Sequence, residues 1–381
     1  MFRRTTLINQ GIVALCLLCL ICFYTCVSAG VTRSTAKRIF RENIRYYTEQ
    51  GTRAVVGGDL DGDGDIDLVT ANLRTSNIAV FANNGKGTFS TKGNYGVQRG
   101  PMAMVSHDLD EDGDVDLAVL CFSANKVSIL LNRGASSFTV AASLDVAGSP
   151  IGMCKVDLNA DGKMDLVTAN SNSGDLSVLL NEGEGKFTEA QRFSLPEKPH
   201  RVICGDFNND DKADLAAASS KSIYILLNSG ATNPLVDYKA YDAGPGVQSI
   251  AAGDLNGDKK LDLAVANANS GVLVFFNDGK GELQQQGNYA AGDFPHRVAV
   301  MDINRDSKPD LVAANKKSKN LSVLINLGDG TFGEKISHEL RAEPSDMYTA
   351  DLDSDGTADD LAIIFDQSAL AILLNIYGKK F

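Results

Sequence analysis

Seven short segments of this chain carry enough carboxylate, at regular enough spacing, to hold a metal ion. Each spans nine residues and offers oxygen at its odd-numbered positions. The first supplies Asp59, Asp61, Asp63, Asp65 and Asp67; the second Asp108, Asp110, Asp112, Asp114 and Asp116; the third Asp157, Asn159, Asp161, Lys163 and Asp165. The fourth supplies Asp206, Asn208, Asp210, Lys212 and Asp214, and the fifth Asp254, Asn256, Asp258, Lys260 and Asp262. The sixth has Asp302, Asn304, Asp306, Lys308 and Asp310, and the seventh Asp351, Asp353, Asp355, Thr357 and Asp359. Positions one, five and nine are Asp in all seven, and position three is Asp or Asn. Position seven varies freely, as expected of a residue that offers only its backbone carbonyl. Hard oxygens in this arrangement suit Ca2+, of which the chain would hold up to seven.

Four carboxylates about 5 Å apart make six pairs, each repelling by about 3 kcal/mol at an effective dielectric near 20. Without a divalent ion such a loop opens or takes up protons. Asp-rich turns are the plainer alternative, but turn chemistry does not require seven identical ligand spacings. The loops are not EF-hands, because position twelve is never Glu and the flanks read as strands. Mg2+ prefers fewer carboxylates with waters, and zinc would want His or Cys. Loops led by Asp59, Asp108 and Asp351 have carboxylates at all four of positions one, three, five and nine and a glycine at position six (Gly64, Gly113, Gly356), so they are expected to bind best, although Asp360 adds a residue to the last. Loops led by Asp206, Asp254 and Asp302 carry Asp211, Lys259 and Ser307 there and are expected to need millimolar calcium.

The elements that position these loops follow from the repeat. The leading Asp recurs at steps of 49, 49, 49, 48, 48 and 49 residues. Each loop runs into a short apolar stretch such as Asp67-Leu-Val-Thr-Ala-Asn72, and a second follows a polar turn, as in Leu176-Ser-Val-Leu-Leu-Asn181. Runs so short, rich in Val, Leu and Ile and bounded by Gly and Asn, predict strands, four to a unit. Seven four-stranded units predict an all-β fold, a seven-bladed β-propeller of antiparallel blades. Phe89, Phe138, Phe187, Phe332 and Phe381 stand thirty residues after their leading Asp, and Phe40 stands 49 before Phe89. The segment after Phe40 therefore supplies the strand missing after Phe381, and pairing of the N- and C-terminal strands closes the ring.

Loops of the form Asp-x-Asp/Asn-x-Asp-Gly-x-x-Asp-Leu, followed by Asn-x-Gly-x-Gly-x-Phe, resemble the FG-GAP or VCBS repeat family, including the propeller of integrin α-subunits; the resemblance covers residues 40–381. It implies calcium ligation at the Asp and Asn positions named above, with calcium loops bracing one face and partners binding loops on the other. Calcium-binding fungal propeller lectins look similar in architecture. Integrins carry further domains and keep only some loops calcium-competent, so integrin signalling is not implied.

Arg3 and Arg4, the apolar run Gly11 to Val27 and the small residues Val27, Ser28 and Ala29 read as an export signal over residues 1–29, cleaved or kept as a membrane anchor, with a linker over 30–39. Either way the propeller is expected outside the cytosol, secreted, periplasmic or surface-held. Of seven cysteines, four lie in that apolar run. Cys121, Cys154 and Cys204 are expected as buried free thiols, with a Cys154–Cys204 disulfide the alternative. The net charge of −12 disfavours a nucleic-acid partner. Removing Arg3 and Arg4 leaves −14, which seven Ca2+ would balance.

Proline stands seven residues ahead of five loops, and two copies read Pro199-His200-Arg201 and Pro295-His296-Arg297, with Arg99 beside Pro101. His200, Arg201, His296, Arg297 and Arg99 are therefore candidates to line the channel mouth and contact an acidic or polyhydroxylated ligand. Shared ancestry of the repeats plus exposed charge is the plainer explanation. No metalloprotease helix, nucleophile elbow or phosphate loop is present, and no catalytic residue is assigned. The function expected is a monomeric, non-enzymatic, lectin-like or adhesive module for an extracellular protein or glycan. The alternative is a calcium-dependent carbohydrate-active enzyme, such as a lyase, on the same scaffold.

Overall fold

The computed structural model describes residues 39–230 and 234–378, which form 28 β-strands and, among the described residues, no helix. The segments expected as export signal (1–29) and most of the linker (30–39) lie outside the described residues. The repeat unit is clearest in the first blade: β2 (Thr52–Gly58), β3 (Asp67–Asn72), β4 (Asn77–Asn83) and β5 (Phe89–Gly96) form one antiparallel sheet in that order. Five further blades repeat it. The seventh takes β26 (Pro344–Ala350), β27 (Asp360–Phe365) and β28 (Ala369–Asn375) from the end of the chain and β1 (Phe40–Tyr47) from its start. Phe40 pairs with Asn375 as Phe89 pairs with Asn83, so the closure expected from the phenylalanine spacing is present.

The first strand of each blade lies innermost: β2, β6 (Pro101–His107), β10 (Pro150–Val156), β14 (Arg201–Gly205), β18 (Val247–Gly253), β22 (Pro295–Met301) and β26 pack successively, and β26 meets β2 again. Seven apolar cores separate the blades. One joins Val69 and Val80 of the first blade to Leu117 and Val119 of the second, and the last joins Ile364 and Ile372 of the seventh to Leu68 and Phe81 of the first. This explains why the second strand of a blade, such as Asp67–Asn72, is buried at every residue: a neighbouring blade covers each of its faces. With the inner three strands of every blade covered by its neighbours and no terminal blade left uncapped, the wheel is held by a closed cycle of contacts, and solvent reaches mainly the outermost strands.

The cysteines depart from the favoured expectation. Cys154 in β10 and Cys204 in β14 form a disulfide, and only Cys121 is a buried free thiol among the described residues. Their separation of 50 residues is one residue more than the repeat, and the inner strands of adjacent blades lie side by side with these Cα atoms 6.3 Å apart.

Candidate metal centres and the channel mouth

Each nine-residue loop joins the first and second strands of its blade, so all seven lie at one end of the wheel. The fold of the loop is dictated by its own carboxylates. The position-one Asp accepts the position-six N–H in every loop, from Gly64 to Asp59 at 3.0 Å through Gly356 to Asp351 at 2.8 Å. The position-five Asp accepts the position-seven N–H, as in Asp65 to Asp63 at 3.0 Å. These bonds coil the backbone through the left-handed region at position six in all seven loops, at φ 90° for Gly64 and 94° for Gly113 but 66° for Lys259 and Ser307. A non-glycine residue there is strained by about 1–2 kcal/mol, and Asp211, Lys259 and Ser307 take this position in the loops led by Asp206, Asp254 and Asp302.

Position nine has a second task. Asp116 is fully buried, and its two oxygens accept the backbone N–H groups of Leu109 at 2.8 Å and Asn132 at 2.7 Å. Burial pushes the position-nine carboxyls up to about 6 in the first six loops, with the neighbouring Asp charges adding to it. In the seventh loop the nine-residue frame fails: Asp360, not Asp359, takes this place, accepting from Leu352 at 3.0 Å and Asn375 at 2.7 Å. The inserted residue shifts the frame by one. Asp359 instead accepts from Arg305 of the preceding loop at 2.9 Å, and Arg305 also reaches Asp355 at 2.7 Å.

Carboxylate oxygens converge within 4.8 Å in four loops: Asp59 with Asp61 and Asp67, Asp108 with Asp110 and Asp116, Asp254 with Asp258 and Asp262, and Asp351 with Asp353 and Asp355. In the first two loops an oxygen of Asp61 and one of Asp110 are buried with no hydrogen-bond partner, which suits a cation at that point. Burial and Asp112 raise the Asp110 carboxyl above its ordinary range. Loops three to six offer an internal counter-charge, because Lys163, Lys212, Lys260 and Lys308 turn back toward the position-five carboxylate at 3.7, 3.2, 3.1 and 3.9 Å. The first two loops also meet a cation, Lys92 on Asp61 at 3.4 Å and Arg133 on Asp110 at 3.6 Å, but they carry Asp at all five odd positions, whereas Asn at position three and Lys at position seven leave three Asp there in loops three to six.

A set of asparagines missed in the sequence ties the loops into the ring. Asn132 donates to the Leu60 carbonyl of the preceding blade's loop at 2.9 Å, and Asn181, Asn228, Asn277, Asn326 and Asn375 each reach back one blade in the same way. Asn83 closes the circle onto Leu352 at 3.0 Å. The signal was an Asn ending the second apolar run of every unit.

At the other end, where the inner strands begin, the residue six before each leading Asp faces a cavity of about 320 Å3. Arg53, Met102, Ile151, His200, Gln248, His296 and Ser345 fill this position, one per blade. In six blades this residue is the extra one of a β-bulge, as between Pro295 and Arg297, and a bulge re-aims its side chain out of the sheet. Arg201, Arg297, Lys316 and Leu73 complete the lining. The structure thus brings His200, Arg201, His296 and Arg297 together, while Arg99 is exposed and outside the lining. Arg297 donates to Asp346 at 2.7 Å, and Arg53 and Lys316 share Asp366 at 2.7 and 2.9 Å. Burial, reinforced by the arginines, pulls His200 down to about 4 and His296 to about 2.

Comparison with known proteins fits this construction. A model of the FG-GAP-like repeat matches residues 59–119, 108–166, 157–217, 206–265, 254–313 and 302–362. No curated protein sequence matches the chain. Among solved structures, the crystal structure of BBS1N in complex with ARL6DN is similar with a TM-score of 0.65 at 15% identity, over 90% of this chain and 98% of that one. A lectin of Agrocybe aegerita described as recognising non-reducing terminal N-acetylglucosamine gives 0.57 at 18% identity, over 86% of each chain. A Lactobacillus plantarum protein gives 0.60 at 14%, over 82% of this chain and 95% of that one. At such identities these structures share the fold alone. The six repeat matches together span most of the sequence, and the chain therefore belongs to the FG-GAP-like repeat family.

Proposed function

We propose that this chain is an exported, calcium-braced β-propeller that acts as a non-enzymatic binding module for an extracellular protein or glycan. The observation that carries it is the unpartnered buried oxygen of Asp61 and of Asp110 at the centre of converging carboxylates, which suits a hard cation. Calcium there would be held by the Asp side chains and the position-seven carbonyl, and would supply charge neutralisation and rigidity rather than a reaction. The first two loops would bind best; the seventh competes with Arg305, which already occupies two of its carboxylates. The Cys154–Cys204 disulfide supports an oxidising compartment. Family membership and the binding roles described for similar propellers, one in a protein complex and one a lectin, support a recognition module.

The test is a glycan array and a panel of extracellular proteins probed with the exported form in calcium and in chelator, with product analysis. Calcium-dependent retention without new reducing or unsaturated ends is expected. Turnover of a bound glycan would replace this reading with an enzymatic one.

A further inference from the structure

The channel mouth is electrostatically out of keeping with the rest of the molecule. The chain carries a net −12, yet four cations line this cavity, Arg53, Arg201, Arg297 and Lys316. Among the described residues two carboxylates form ion pairs with them, Asp346 with Arg297 and Asp366 shared by Arg53 and Lys316, which leaves two positive charges in excess. Arg201 is the unanswered group. It is half-buried on the cavity wall, its hydrogen bond is one of 3.4 Å to the His200 carbonyl, and no carboxylate lies within ion-pair range of it among the described residues. Burial and the neighbouring Arg297 lower its affinity for its proton, to about 9. A half-buried guanidinium beside a second arginine, with no ion-pair partner of its own, is stabilised when a ligand supplies the counter-ion.

A second observation points into the same space. The Nε2 atom of His200 is buried and has no hydrogen-bond partner. The wall is also divided: blades two and three contribute Met102 and Ile151, and blade one Leu73 beside Arg53, whereas blades four to seven contribute only polar or cationic side chains. We propose that the channel mouth binds a single carboxylate carried on a small apolar stem, with the oxyanion against Arg201 and His200 and the stem against Met102 and Ile151. A guanidinium is matched to a carboxylate in shape as well as charge, and the apolar wall excludes water from the pair. The inference rests on the binding-module reading for its biological sense. Titration with small acids is nonetheless independent of any protein or glycan partner, so the two fail separately.

The test is calorimetric titration of the calcium-loaded protein with benzoate, with benzyl alcohol, which keeps the stem without the charge, and with sulfate, which keeps charge without the stem. Saturable one-to-one binding of benzoate is expected, with the other two at least about tenfold weaker. Arg201→Gln should lose benzoate binding by at least about tenfold while melting no lower than wild type in benzoate-free buffer, because an uncompensated buried charge is gone. Met102→Gln, at a position half open to solvent, should weaken benzoate and leave sulfate unchanged, and it keeps the test available if Arg201→Gln does not fold. Absence of saturable benzoate binding, or equal binding by Arg201→Gln, overturns the proposal. Sulfate binding as tight as benzoate also overturns it, leaving an adventitious ion only.

Discussion

The asparagine ring makes a quantitative forecast about how blades are held together. In Asn132→Ala the side-chain amide that bonds the carbonyls of Leu60 at 2.9 Å and Val115 at 3.2 Å is removed from a fully buried site. Leu60 keeps one donor, because the Ser136 N–H also reaches its oxygen at 2.9 Å. An abandoned buried acceptor costs about 1–3 kcal/mol, and with one carbonyl half-served the expected loss is about 2 kcal/mol. Asn326→Ala should cost more, about 3 kcal/mol. Its amide bonds Leu255 at 2.8 Å and Pro309 at 2.9 Å, and no other donor reaches the Leu255 carbonyl among the described residues. Gln286→Ala, exposed on the outer strand of its blade, is the control and should stay within about 0.5 kcal/mol. Urea unfolding in calcium, followed by far-UV circular dichroism because the chain has no Trp, gives the three values provided the transition is two-state. Equal midpoints for Asn132→Ala, Asn326→Ala and Gln286→Ala would refute the clasp, and a larger loss for Asn132→Ala than for Asn326→Ala would refute the accounting of donors.

Further outcomes follow from the same geometry. Calorimetric titration with calcium should resolve a tight class from the first two loops and a weaker remainder, and Asp110→Asn should remove one tight site while leaving the other. Opening the Cys154–Cys204 bridge by a double Ser substitution should cost up to about 4 kcal/mol for a loop of 50 residues, read as a lower melting temperature. His200 titrates at about 4 in the fold against 6.5 unfolded, so only the unfolded chain takes up its proton between those values. Wild type should therefore lose stability relative to His200→Gln as pH falls from 6.5 toward 4, with no difference above pH 7. Lys259→Gly, relieving a left-handed backbone at φ 66°, should raise calcium affinity in its loop.

The sequence made the architecture legible because a 49-residue repeat with four strand-like runs leaves few closed solutions, and Phe40 marked where the ring is sealed. The oxygen positions were legible for the same reason. What was hidden depends on contacts between units. Position nine looked like one more ligand, but its burial behind two backbone N–H groups makes it a structural clasp as well, and only that clasp reveals that Asp360 replaces Asp359. The disulfide was underweighted because adjacent inner strands are neighbours only once the wheel is closed. At the channel mouth, the two Pro-His-Arg copies flagged His200, Arg201, His296 and Arg297, whereas Arg53 and Gln248 carry no motif and join them only through the ring of bulges, and Lys316 joins them from the turn after Asn315. Arg99 was chosen for its nearness to Pro101 in sequence, and its side chain lies outside the cavity.

The central claim is that divalent cations brace the end of the wheel where the carboxylates gather. Differential scanning calorimetry of the protein at pH 7.5, in calcium and in excess EDTA, tests it most directly. A melting temperature lowered by several degrees in EDTA and restored by added calcium but not by equal magnesium is the predicted result. An identical melting temperature in both buffers would contradict the account.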